Sequence, residues 1–182
     1  MALGRAPREV DPDEHPPQGA GRGPYVIDEP PMQSIFDAPN HERLAERLVQ
    51  LTSDSKRQWG RMSVGGMVCH LSDAFRMALG ERQPKMRGNV FLKTVVRFIA
   101  LSTPMTWPEG AKTVPEADQE RGGTPPGDFS DDVATLEQLM ARFASTGSGD
   151  MPAHPIFGKL TRGEWGRWGY KHVDHHFRQF GV

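Results

Sequence analysis

Two histidines near the C-terminal end of the chain have the spacing that a metal site needs. His172 and His176 lie four positions apart in the stretch Lys171–Phe180, whose pattern predicts a helix. Because positions i and i+4 share one helix face, the two imidazoles can bind the same divalent cation. Two ligands alone bind weakly, so a third ligand is needed from another element.

The apolar pattern of this helix indicates that the pair faces the protein core. Trp168 and Val173 belong to an apolar stripe that has His172 and His176 in its middle, whereas His175 projects toward the edge of the stripe. The pair, rather than His175, is therefore the predicted source of two ligands.

The third ligand predicted from the pattern is His70. It lies on the flank of the apolar stripe of an earlier helix, and a helix packed beside the last one would aim it inward. Cys69 lies about 100° around the same helix and cannot easily reach the same ion. We interpret Cys69 as a small core or surface residue.

Spacing alone also fits a second interpretation, in which His172 and His176 are core histidines bonded to the backbone or to each other. This spacing often arises by chance, and taken alone it favours packed histidines. The zincin motif is absent, because Val173 stands where that motif has glutamate, and so is the adjacent His-Asp pair of metal phosphohydrolases. Trp59, Trp165 and Trp168 are interpreted as core residues rather than as a substrate cage.

The elements that must position these side chains all follow helical periodicity. Ser63 is a predicted N-cap, and Thr161 and Glu164 form a predicted capping box. The fold class predicted is all-α, a four-helix bundle with a short extra helix. The predicted helices span 39–52, 64–79 and Asn89–Thr103, then Phe129 to the Gly147-Ser148-Gly149 stretch, and Thr161 to Gly181.

Two segments lack this periodicity. Residues 1–31 are rich in Pro, Gly and charge and are predicted to be a disordered tail, with Met32 as an alternative start of translation. The domain is predicted to span 32–182. Pro104–Gly127 is rich in proline and glycine, and we predict a long surface connection before the fourth helix.

The composition restricts the classes of partner. A net charge of −1 supplies no strong field for polyanions, so nucleic acid is not expected. The longest apolar run, Thr94–Leu101, is interrupted by Arg97 and is too short for a bilayer span, and Met1–Val10 lacks the apolar core of a secretory signal. With one cysteine, the expected location is the cytoplasm.

Several stretches of the chain resemble the DinB/YfiT-like superfamily, and most closely a branch of uncharacterised bacterial proteins. The resemblance covers about 32–182, and its most specific part is the helix with His172, His176 and the Arg178-Gln179-Phe180 ending. The other stretches are Trp59–Ser63, Met67–His70 and His154–Leu160.

The resemblance implies a four-helix bundle with a divalent metal held between the second and last helices. Carried onto this chain, the ligands are His70, His172 and His176. Zinc and nickel both accept imidazole nitrogen, so either is expected. Relatives in the superfamily include thiol transferases and thiol-dependent isomerases.

Three imidazoles leave a coordination position open, as in catalytic zinc sites. We therefore expect a metal-dependent enzyme that activates water or a thiol, acting as transferase or hydrolase on a small molecule or a low-molecular-weight thiol. His175 and Asp73 are the candidate general bases by helix position. The alternatives are a non-catalytic, stress-related bundle that binds metal or ligand, and a metal-free helical homodimer.

Overall fold

Five α-helices make up the framework of the computed structural model, which describes residues 32–83, 85, 90–110, 115–118, 120–146 and 151–182. The helices are α1 Ala38–Leu48, α2 Val64–Ala78, α3 Val90–Ser102, α4 Phe129–Ser145 and α5 Arg162–Gln179, with a 3-10 turn at Pro115–Ala117. Within these ranges the only β pairing is an isolated bridge between His154 and Gly158. The predicted all-α class and helical bundle are confirmed, while the predicted tail, 1–31, lies outside the described residues.

Two predicted helix starts are confirmed by their caps. The Ser63 hydroxyl accepts a hydrogen bond from the Gly66 amide at the start of α2. At the start of α5, Thr161 accepts from the Glu164 amide, and the Glu164 carboxylate accepts from the Thr161 amide in return. Each cap bonds to amides that have no partner inside the helix, so α2 and α5 both begin at defined residues.

The first helix is shorter than predicted, because it ends at Leu48 rather than at 52. Leu51 is still buried, but a turn brings it to the core through a hydrogen bond from its amide to the Leu48 carbonyl. Val49 lies between them and is 74% exposed. The spacing of Leu48 and Leu51 fits a helix and a turn equally, so the apolar pattern predicted a helix longer than the one observed.

The helices pack around a core of aromatic side chains. α2 lies along α4, α1 packs against α4 and α5, and α5 also contacts α2 and α3. Phe75, Phe143 and Phe177 are fully buried at the centre. Gly169 lets α5 approach closely, since a Cβ there would lie 2.8 Å from Ile35 Cγ2.

The described part of the connection between α3 and α4 is mostly exposed, as predicted for Pro104–Gly127, but it is anchored to α2 at two points. Ala117 is only 2% exposed. The Thr124 amide and hydroxyl both donate to the buried Asp73 carboxylate, each at 2.7 Å. Proline and glycine content predicted irregular backbone correctly but carried no information about burial.

The third helix is held at its C-terminal end by α5. Lys171 donates to the carbonyl of Ala100, in the last turn of α3, and to those of Thr103 and Met105, which follow the helix. Arg97 forms a bidentate ion pair with Glu164, with both N–O distances 2.6 Å. None of the described helices is long and apolar enough to cross a membrane.

Candidate metal centre

The second and last helices bring together the three histidines that the sequence singles out. His70 lies on α2, and His172 and His176 lie one turn apart on α5. The ring centroid of His70 lies 5.0 Å from that of His172 and 4.7 Å from that of His176. One ring nitrogen from each residue lies within 4.8 Å of the other two, so the three side chains could hold a metal ion.

The carbonyl of Ala117 sets the protonation of His70. His70 Nδ1 lies 2.8 Å from this carbonyl oxygen, which can only accept a hydrogen bond, so Nδ1 carries the proton. The lone pair is therefore on Nε2, which lies 3.0 Å from His172 Nε2. Two nitrogens bound tetrahedrally to one zinc ion would lie about 3.3 Å apart, so little movement is needed.

Gln179 sets the protonation of His176 in the same way. The Nε2 of Gln179 donates to the Trp59 carbonyl at 3.0 Å, and this bond fixes the orientation of the Gln179 amide. The amide oxygen therefore faces His176 Nδ1 at 2.9 Å and accepts its proton. His176 Nε2 is left with a lone pair, which is the form that binds metal.

The protons available at the centre do not suffice for three facing imidazoles. His70 and His176 both direct lone pairs inward, so only His172 can supply a proton there, and it can bond to one of them. The other two rings then direct a lone pair at a single proton, while the buried His172 Nδ1 has no hydrogen-bond partner in the described part of the chain in either tautomer. A cation would satisfy all three inner nitrogens at once, and the donor set fits a divalent metal.

Burial keeps the three rings in the neutral form that binds metal. It lowers the pKa of His70, His172 and His176 below the ordinary histidine value. The positive charge that a protonated His70 would carry lowers the pKa of His172 and His176 further. At His70 itself, the hydrogen bond to the Ala117 carbonyl partly offsets the effect of burial on the pKa. No proton therefore has to be removed from the rings at neutral pH before an ion binds.

Of the two candidate bases, His175 lies near the cluster. Its ring centroid is 5.2 Å from that of His176, and its Nδ1 is buried without a hydrogen-bond partner among the described residues. Burial and the nearby Arg178 lower the pKa of His175, and the backbone of Trp107 partly opposes them. The ring is thus neutral and able to take up a proton.

Asp73 has a different set of partners. Its carboxylate is fully buried and accepts hydrogen bonds from the amide and hydroxyl of Thr124. It also forms ion pairs with Arg82 at 2.6 Å and Arg76 at 3.3 Å. Four donors occupy the two oxygens, so this carboxylate ties the α3–α4 connection to α2.

A large cavity opens beside the three histidines. Its volume is about 1670 Å³, and His70, His172 and His176 all line it. Four tryptophans, Trp59, Trp107, Trp165 and Trp168, border it together with aliphatic and a few charged side chains. The Trp107 ring lies 5.6 Å from His172, and the Trp168 ring lies 5.2 Å from it on another side.

Cys69 lies apart from this cavity, as the helical wheel indicated. Burial, together with the Asp132 carboxylate, raises the pKa of its thiol to about 12. The group is therefore a protonated thiol at neutral pH and fits a small core residue.

Two contributors to the centre were missed from the sequence. Gln179 is three positions after His176, a helical spacing that could have identified it as the partner of that ring. The Ala117 carbonyl comes from a backbone group in an irregular segment, and no residue type indicates it. The core prediction for Trp165 and Trp168 is confirmed by exposures of 2% and 3%, although both also border the cavity.

Comparison with known proteins gives a family but no activity. Neither the curated proteins nor the solved structures include a match to this chain. One family model, described as a protein of unknown function (DUF1569), matches residues 34–181. The chain therefore belongs to the DUF1569 family.

Proposed function

We propose that this protein is a metal-dependent enzyme in which His70, His172 and His176 hold one divalent ion. One observation carries the proposal. The Ala117 carbonyl and the Gln179 amide accept the Nδ1 protons of His70 and His176, so the Nε2 lone pairs of both rings face His172. Packed core histidines would also bond to neighbouring groups, but that role does not require two lone pairs directed at one ring. Zinc and nickel are the metals that suit three imidazoles.

Three side-chain ligands leave room for a further ligand on the side of the cavity. A divalent ion held by the three histidines would act as a Lewis acid and would lower the pKa of a water or thiol bound to it, supplying a nucleophile at neutral pH. The reaction proposed is therefore group transfer to a thiol or hydrolysis. The resemblance to the DinB/YfiT-like superfamily, with its thiol transferases, supports the first of these.

His175 is the side chain placed to accept the proton that such a nucleophile releases. It is neutral, it borders the cavity, and its Nδ1 has no hydrogen-bond partner within the described ranges. Asp73 also stood as a candidate base, but its oxygens are already bonded to Thr124, Arg76 and Arg82. We therefore assign proton transfer to His175.

The walls of the cavity support a small organic substrate. Trp59, Trp107 and Trp168 line the cavity near the three histidines and offer flat apolar surface. An aromatic cavity of this kind binds small molecules, and the net charge of −1 does not attract a polyanion.

The test is an activity screen of protein loaded with zinc or with nickel. One panel pairs low-molecular-weight thiols with electrophilic acceptors, and a second contains esters and amides. We expect turnover in one panel, a loss of about 100-fold in His175→Asn, and full activity in His41→Asn, which alters a histidine outside the cavity. Loaded protein that is silent in both panels would instead indicate a non-catalytic metal-binding bundle.

A further inference from the structure

A further buried histidine borders the cavity, on the segment that joins α4 to α5. His154 is 8% exposed and begins a tight turn, in which its amide and carbonyl pair with those of Gly158 at 2.8 and 2.9 Å. Gly158 has a φ of +73°, a left-handed conformation that favours glycine. The His154 ring stacks on Phe157 at 4.6 Å, so the turn holds the ring in one orientation.

The backbone of the turn determines where the ring proton lies. The amides of Ile156 and Phe157 both donate to His154 Nδ1, each at 3.2 Å. A nitrogen that accepts hydrogen bonds cannot carry a proton, so the proton of the neutral ring is on Nε2. Burial lowers the pKa of His154 to about 3, which keeps the ring neutral across the physiological range.

The Nε2 edge is the part of the ring that is left to face the cavity. No described residue accepts a hydrogen bond from Nε2, although His154 is among the residues that line the cavity. Trp168 lies between this ring and the metal centre, 5.4 Å from His154 and 5.2 Å from His172. A donor with no acceptor among the described residues is free to bond to water or to a ligand in the cavity.

We propose that His154 is a fixed, uncharged hydrogen-bond donor that binds the carbonyl oxygen of an apolar or aromatic substrate in this cavity. The inference deepens the proposed function, because it names the class of substrate that the centre acts on. The binding step itself requires no ion, so it can be tested in chelator-treated protein.

The surroundings of His154 select this class of ligand. Trp165, Trp168 and Phe157 surround the ring, and they offer flat apolar contact but no charge to balance an ion. Desolvating a full charge among these rings would cost more than one neutral donor returns. An uncharged carbonyl group on an apolar body loses little on entry and gains a hydrogen bond.

The alternative role of His154 is purely structural, as the acceptor that closes its own turn. The two roles use different nitrogens, so two substitutions separate them. His154→Asn keeps an acceptor near the Nδ1 position and removes the Nε2 donor. His154→Gln keeps a donor near the Nε2 position and removes the acceptor.

The experiment measures the binding of benzamide, benzoate and toluene to chelator-treated protein by tryptophan fluorescence. We expect wild type to bind benzamide most tightly, and His154→Asn to weaken benzamide about tenfold, which is what one lost hydrogen bond costs at most. Toluene binding should be unchanged in both variants, and His154→Gln should bind benzamide within about threefold of wild type. Thermal unfolding of His154→Asn should match that of wild type.

A second measurement does not depend on any variant. Long-range proton–nitrogen spectra of ¹⁵N-histidine protein should show His154 protonated on Nε2 alone, with no titration between pH 5 and 8. A proton on Nδ1, a titration near 6.5, equal benzamide binding in wild type and His154→Asn, or tighter binding of benzoate or toluene than of benzamide would each overturn the proposal. A centre that holds no metal would refute the proposed function but would leave these results unchanged.

Discussion

The Ala117 carbonyl lies 2.8 Å from His70 Nδ1, although 47 positions separate the two residues. This contact fixes the ring proton on the outer nitrogen and directs the Nε2 lone pair toward the two histidines of α5. The carbonyl belongs to the α3–α4 connection, which the Asp73 carboxylate holds through Thr124. If the three histidines bind a metal as proposed, we expect the stability of the connection and the affinity for metal to be linked.

Replacing Asp73 with asparagine tests this link. The change removes a buried charge that Arg82 and Arg76 compensate, and we expect it to lower the free energy of unfolding by about 2 kcal/mol. We also expect about tenfold weaker metal binding, because Ala117 is less firmly held. Urea unfolding and metal titration measure the two effects, and Thr124→Ala, which keeps its amide bond to Asp73, should show smaller ones. An Asp73→Asn protein with normal stability and a displaced pH–rate profile would point to proton transfer by Asp73 instead.

Replacing Gln179 with alanine tests the partner of His176. The change leaves the His176 Nδ1 proton without its acceptor at 2.9 Å, so the ring can adopt the other tautomer or rotate. We expect metal affinity to fall about 10- to 100-fold, as for other groups that orient metal-binding histidines. The matched control is Gln50→Ala, at an exposed position just after α1, where the side chain donates to the Glu46 carbonyl. Equal affinity in Gln179→Ala and wild type would show that Gln179 does not orient the ring.

The helical parts of the centre were predictable, and the irregular parts were not. His172 and His176 follow from a spacing of four on a helix, and His70 follows from the stripe of α2, so local periodicity was enough. The contact of His70 with Ala117, and that of Gln179 with the Trp59 carbonyl, depend on backbone groups from irregular segments. Such contacts are set by tertiary packing, which side-chain patterns along the sequence do not record.

The close approach at Gly169 gives a prediction about packing. A Cβ at this position would lie 2.8 Å from Ile35 Cγ2 and 2.9 Å from Phe143 Cε1, and both side chains are fully buried. We expect Gly169→Ala to lower the free energy of unfolding by about 1–2 kcal/mol, since overpacking outweighs the gain in helix propensity. Gly163→Ala is the matched control, because its Cβ would meet only Arg167 at 3.4 Å. It should be neutral or stabilising, and a stabilising Gly169→Ala would contradict the close packing of α5.

The ion pair between Arg97 and Glu164 gives a prediction about pH. Burial alone raises the pKa of Glu164, but hydrogen bonds from Arg97 and Thr161 outweigh it and bring the pKa to about 2. Because this value is below the 4.5 of the free side chain, the stabilisation is complete above about pH 5 and is lost as the pH falls toward 2. Wild type should therefore lose stability over this range more steeply than Glu164→Gln. Parallel curves for the two proteins would show that Glu164 is not stabilised in its charged form.

The most direct test of the three-histidine centre is the metal content of protein purified without a histidine tag. Elemental analysis should find about one divalent ion per chain in wild type and in His41→Ala. The variants His70→Ala, His172→Ala and His176→Ala should each lose most of the metal while they remain folded by circular dichroism. A wild type that stays far below one ion per chain after zinc or nickel is supplied, or folded variants that keep their metal, would contradict the account.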